Sequence, residues 1–183
     1  MFTIDFDENF LQELEEKFME FPEKAPRALS SALNRVTEMS KTRTVKNARK
    51  TYTVKYGELL KNLIVKRANP GNLMTEINSK GNYLGLDKFQ LNPNTRIGKV
   101  PVTATVKNGN KISLNERTFI AYKDGRLGAF ERIGSGSTPI KRKFGPSAPQ
   151  MLGNRDFLPE LDAFMEQKLN ERFEHELNRL MSM

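Results

Sequence analysis

The apolar positions of the chain follow two helical patterns separated by a stretch of strand-like alternation. Phe10, Leu11, Leu14 and Phe18 fall at helical spacing behind Asp7, which suits an N-cap, with Phe6 available as a staple against Leu11; Pro22 lies beyond the end of this short amphipathic helix. After FPEKAP, with Pro26 placed to open a helix, about two dozen residues lack Gly and Pro and predict one long helix. Ala28, Leu29, Ala32, Leu33 and Val36 give its first half a narrow seam of mostly small side chains. Beyond Met39 that seam thins, and Arg43, Lys46, Arg49 and Lys50 form a cationic ridge. A second short helix is predicted over Val54–Leu63.

From Leu63 the pattern changes to short β-branched and aromatic runs: IVKRAN, LMTEINS, VPVTATV, RTFIAYK and LGAFERI. Turn signals separate them at Asn69-Pro70-Gly71, Lys80-Gly81-Asn82, Asn92-Pro93-Asn94, Asn108-Gly109-Asn110 and Asp124-Gly125. Asp124-Gly125 is the sharpest, because Asp-Gly favours the positive φ of a tight hairpin joining TFIAY to LGAFE. No strand alternates with a full-length helix, which disfavours a parallel sheet. The expected class is α+β: a small antiparallel sheet packed against a long N-terminal helix, with amphipathic helices at both ends.

The terminal helix, Phe157 to Met181, repeats its apolar residues every four positions: Phe157, Leu161, Met165, Leu169, Phe173, Leu177 and Met181. An α-helix repeats every 3.6 residues, so each step turns the stripe by about 40°, or about 160° from Leu161 to Leu177. Phe164 and Leu180 widen it. One flat core does not cover such a stripe. Its last turns, Phe173, Leu177, Leu180 and Met181, are therefore expected to meet another molecule, often a second copy; a helix curving around its own domain is the alternative.

Charge divides the chain into blocks. Residues 1–23 hold one lysine against eight acids, and residues 24–67 twelve bases against two. Residues 68–153 hold thirteen bases and five acids, and residues 154–183 four bases and seven acids. This gives an expected organisation of an acidic arm (1–23), an α+β body (24–153) and a terminal amphipathic helix (154–183). A basic body between acidic ends suits a polyanion, acidic arms of neighbouring copies, or merely solvated faces. Arg43, Lys46, Arg49, Lys50, Lys66 and Arg67, with Lys141, Arg142 and Lys143, have the charge for nonspecific phosphate contact. No reading module for nucleic acid accompanies them.

The remaining chemistry is sparse. With no cysteine and one histidine, His175, the chain lacks the ligands for structural zinc, copper or iron–sulfur sites and for cysteine catalysis, and no metal or cofactor is expected. His175 reads as a solvated side chain on a helix face. The GSGSTPIKRK run fails the phosphate-loop pattern, since Ile140 precedes Lys141 and Arg142 follows it. Glu76, Asp87 and Glu116 form no recognisable metal-nuclease set, so an enzyme is not expected. No run of about 18 apolar residues is available to span a membrane, and the acidic N-terminus is unlike a signal peptide, which points to a reducing cytoplasm or something assembled there.

TFIAYKDGRLGAFERIG, TPIKRKFGPSAPQML and FEHELNRLM, in that order, resemble the C-terminal half of the minor tail protein Z family of lambda-like phages and prophages. RALSSALNRVTEMSKTRTVKNARKTYTV resembles that family's N-terminal helix, and the resemblance runs from about Pro26, strongest between Thr118 and Leu152. It implies a non-enzymatic virion protein that completes the head-proximal end of the tail and makes head–tail joining productive for DNA passage. Its implied partners are other tail and neck proteins and copies of itself in a ring. In this frame Gly134 to Ser137 lets the chain leave the last strand, and Phe144, Met151 and Leu152 anchor against the domain or a neighbouring subunit. Lys141, Arg142 and Lys143 form an exposed knuckle facing DNA or an acidic partner.

Overall fold

In a computed structural model the described residues are 8–96, 98, 100–153 and 157–182. The expected Asp7 cap and Phe6 staple lie outside them, as do the side chains of Phe10 and Leu11. The fold class is α+β, as expected, but the strands form four small antiparallel sheets rather than one. The chain also divides differently from the expected linear order, into two units. The first comprises residues 1–44, 63–78 and 155–183, and the second residues 45–62 and 79–154.

Two long helices make the core of the first unit. Helix α1 spans Glu8–Glu20, and α2 spans Lys24–Thr51, giving the first unit its residues up to Thr44. Strands β1 (Leu63–Lys66) and β2 (Glu76–Ser79) pair in a two-stranded ribbon. The terminal helix spans Leu158–Met181. Its stripe of Phe157, Leu161, Met165, Leu169, Phe173 and Leu177 is buried in one cluster with Ala25, Ala28, Leu29, Ala32 and Val36 of α2. Leu14 and Phe18 of α1, with Phe21, Leu73, Phe164 and Leu180, pack against that cluster. Phe173 and Leu177, expected to meet another molecule, are thus finished within the unit, while Leu180 is half-buried and Met181 exposed. A four-residue stripe is a ridge inclined to the helix axis. Here it is covered as it turns, because several elements surround it.

Small polar residues continue the buried seam of α2 where its apolar pattern thins. The Thr37 hydroxyl donates to the Leu33 carbonyl at 2.7 Å and accepts from the Thr75 hydroxyl at 2.9 Å, which lets it lie buried among hydrocarbon. Asn34 grips the Ala68 backbone through its side-chain amide. It donates to the Ala68 carbonyl and accepts from the Ala68 N–H, each at 2.9 Å. Arg43 donates to Glu160 at 2.6 Å and lies 4.5 Å from the centre of the Phe164 ring. It thereby ties the first turns of the terminal helix to the middle of α2, so that the terminal helix runs back along α2 toward Ala25.

The second unit begins with the last turns of α2, from Val45, and the short helix α3 (Tyr56–Leu60). Strand β3 (Tyr83–Gly85), a 3₁₀ turn (Leu86–Lys88) and β4 (Gln90–Asn92) follow. Strands β5 (Thr103–Lys107) and β6 (Asn110–Ser113) join β4 in a sheet ordered β4-β5-β6. Strands β7 (Thr118–Lys123), β8 (Arg126–Arg132) and β9 (Ile140–Arg142) make a second three-stranded sheet in that order. The Asp-Gly hairpin forms as expected, with φ of 53° at Asp124 and 71° at Gly125, and Lys123 opposite Arg126. The chain does not end its strands there. Beyond the 134–137 loop come β9 and then β10 (Phe144–Ser147), which pairs with β3.

A five-residue helix, α4 (Ala148–Leu152), closes the unit, separate from the terminal helix, which we number α5. Ser147 caps it: its hydroxyl accepts from the Gln150 N–H, while the Gln150 side chain accepts from the Ser147 N–H. Met151 and Leu152 are buried here.

Candidate functional site

The nine cations expected to face a polyanion differ sharply in their surroundings. Five are held by carboxylates: Arg43 by Glu160, Lys66 by Glu76 at 2.8 Å, Arg67 by Glu38 at 3.0 Å, Arg142 by Asp87 at 2.8 Å and Lys143 by Glu131 at 2.5 Å. The Lys66 ammonium, and after it the Asn78 amide, hold the Glu76 carboxyl below the usual carboxylate range. Lys46, Arg49, Lys50 and Lys141 are exposed, and none has a carboxylate partner among the described residues.

The expected three-cation knuckle is therefore not one surface. Side chains alternate along a strand, so Lys141 of β9 points to solvent while Arg142 turns inward. Arg142 lies on bare backbone: a Cβ at Gly85 would meet its Nη2 at 2.9 Å, and one at Gly128 would meet its Nε at 3.1 Å. Its guanidinium also donates to the Leu127 carbonyl at 3.3 Å and lies 5.8 Å from the centre of the Phe144 ring. Two glycines thus make room for one planar cation that joins β9, β8, β3 and the 3₁₀ turn. This is a structural arginine.

What is left of the basic ridge lies in the second unit, at the end of α2. The β5–β6 hairpin closes that end: Asn108 donates through its side chain to the carbonyls of Arg49 (3.1 Å) and Lys50 (2.7 Å), and through its N–H to that of Thr51 (2.8 Å). Tyr52 bridges to Lys107. The hairpin thereby adds exposed Lys107 and Lys111 to exposed Lys46, Arg49 and Lys50. Sequence reasoning missed the two hairpin lysines, because the strand-like run VPVTATV stops short of Lys107 and the residues beyond the Asn-Gly turn, all exposed, carry no apolar alternation. Cations at a helix C-terminus also complement its dipole, an explanation of Arg49 and Lys50 that needs no ligand.

The seven residues expected at a subunit interface separate in the same way. Met151, Leu152, Phe173 and Leu177 are internal, each 6% exposed or less, and are corrected to core. Leu180 packs half-buried against the core of the first unit. Phe144 and Met181 remain open, at 54% and 46% exposure. His175 is exposed, 3.9 Å from Glu176. Among the described residues, no three of His, Asp and Glu converge to hold a metal ion, and no helix is long and apolar enough to cross a membrane. Compared with protein-family models, curated proteins and solved structures, the chain finds no match.

Proposed function

We propose that this chain is a non-enzymatic structural protein of a long-tailed phage or prophage, acting with other tail and neck proteins, as a ring of copies, to complete the head-proximal end of the tail in the virion. The observation that carries the reading is the resemblance between Thr118 and Leu152, taken with the structural work those residues do. The hairpin, the Arg142 contact with two glycine backbones, and the Ser147–Gln150 capping box are successive parts of one folded segment. Gly145 belongs to it as well, since a Cβ there would meet the Phe89 ring at 2.7 Å. These constraints support the reading only in that the stretch carrying the resemblance is one folded segment. Deleting the gene from its phage or prophage is expected to leave tails of normal length that fail to deliver DNA after meeting heads, with delivery restored by the purified chain. Infectious particles in undiminished yield would reject the reading.

The five exposed cations at the end of α2 favour a second reading, nonspecific binding of duplex DNA. Five phosphate contacts predict a slope of about −4.5 in log K against log salt. Replacing Lys46 and Lys50 with glutamate should flatten it by about 2, as measured by fluorescence anisotropy. Absence of binding at low salt removes this reading.

A further inference from the structure

A groove of about 430 Å³ in the second unit carries two aromatic rings that the unit leaves uncovered. Tyr83 of β3 is 63% exposed, and Phe144 of β10 is 54% exposed. Tyr83 and Gly85 lie two apart on β3 and share a face, and Phe144 stands opposite Gly85 in the ladder, which puts both rings on that face. Arg142, packed on Gly85, lines the groove with them.

The free charges around the rings are of one sign. Lys55 and Arg126 line the groove, are exposed, and have no carboxylate partner among the described residues. Asp87 is the one acid of the lining, and Arg142 at 2.8 Å and Lys88 at 3.7 Å already neutralise it. Arg126 also borders an adjoining hollow, where it stands with Lys123 and Arg142 against Asp124. Exposed rings inside a positive rim call for a partner that sets an apolar side chain among acids.

The first unit presents such an element. Gln12, Glu15, Glu16, Met19 and Glu20 are exposed and spaced i, i+3, i+4, i+7 and i+8, which makes them one face of α1. Leu14 and Phe18 pack on the core of the unit, so the acidic face looks away from it. Met19, at 85%, is the most exposed large apolar side chain among the described residues. Glu15 and Glu16 have no basic partner among those residues, and Glu20 has Lys17 at 3.9 Å.

We propose that this face of α1 seats in the Tyr83–Phe144 groove of a second copy, with Met19 against the two rings and Glu15 and Glu16 toward Lys55 and Arg126. A thioether packs favourably on aromatic rings, and a helix laid in a groove by an apolar anchor is a recurrent mode of docking. The cations at the end of α2 attract the same acids but offer no exposed ring to receive Met19. The joint links two different patches, the heterologous kind from which rings are built. It rests on the ring reading and names its contact.

Sedimentation of the full chain at low salt tests the joint. Assemblies larger than a dimer are expected, and added salt should dissociate them. Glu15→Lys with Glu16→Lys should weaken association about a hundredfold, as should Tyr83→Ala with Phe144→Ala, and Met19→Ala about tenfold. Lys46→Glu with Lys50→Glu, away from the groove, should leave association in place. Mixing the first two variants should give a one-to-one dimer and nothing larger, because one intact α1 then meets one intact groove. All these side chains are exposed, and thermal unfolding checks that each variant keeps its fold. A chain that stays monomeric at low salt overturns the proposal, as does association that survives both paired variants, a mixture that forms no dimer, or loss on the Lys46 and Lys50 changes. A monomer that binds a single-stranded oligonucleotide through Tyr83 also overturns it, and gives the groove to nucleic acid. A chain that completes tails yet stays monomeric removes this joint and leaves the tail reading standing; a mixed dimer from a chain that completes no tails does the reverse.

Discussion

Replacing Phe173 with alanine is expected to cost about 3–5 kcal/mol of stability in the isolated chain, seen as a large fall in the urea midpoint of the transition that reports the first unit. The side chain is 2% exposed and lies in one cluster with the alanine-rich seam of α2, so truncation removes a ring and leaves a cavity among residues held by three helices. The whole stability of a domain is typically about 5–15 kcal/mol, so this single change threatens the unit. The contrast that decides between core and interface is Met181→Ala. Met181 is 46% exposed at the end of the same stripe, and its loss should stay within about 0.5 kcal/mol. Were Phe173 an interface residue, the isolated chain would hardly register its replacement.

Arg142→Ala should cost about 2–4 kcal/mol, because it leaves Asp87, whose side chain is only 11% exposed, with Lys88 at 3.7 Å as its remaining cation and empties the space over Gly85 and Gly128. Arg142→Lys should recover little, since an ammonium does not reproduce the flat fork lying on glycine backbone. Lys141→Ala, one residue away, should change stability by less than about 0.5 kcal/mol. Chemical denaturation of the three variants, followed by a probe in the second unit, reads the difference. Equal effects at positions 141 and 142 would contradict the assignment of Arg142 as structural.

Those two residues also show how far the sequence can be read. Strand alternation alone distinguishes an outward Lys141 from an inward Arg142, but it applies only once β9 is recognised, and three residues after a Gly-Ser loop give little signal. The same brevity hid β3 and β4. Strand β6 is exposed at every residue, so it has no apolar face to betray it. The 118–132 hairpin was legible because Asp-Gly demands the positive φ values that its turn adopts. Ser147-Ala-Pro-Gln150 does carry the signature of a capping box, yet no separate helix was expected there, because the five residues of α4 are too few to show a helical period. The stripe of α5 was legible as a stripe. What covers it was not, because buried Ala25, Ala28 and Ala32 contribute little hydrophobic signal, and Thr37, Ser40 and Thr44 read as polar while lying buried on α2.

Burial of α5 moves the case for assembly away from the tail helix. On the proposed reading, a protein whose terminal helix is largely finished within its own first unit would meet neighbours elsewhere, at exposed Phe144 and Tyr83 or through the cations at the end of α2. Charge supports this arrangement. The strongly acidic first 23 residues and the basic remainder attract between copies at low ionic strength, and salt should weaken that attraction.

The most direct measurement is an electron-microscopy map of phage tails assembled with and without this chain. The account predicts a ring of added density at the head-proximal end, present only when the chain is supplied and built from repeated copies. Identical tail ends in the two maps would contradict it.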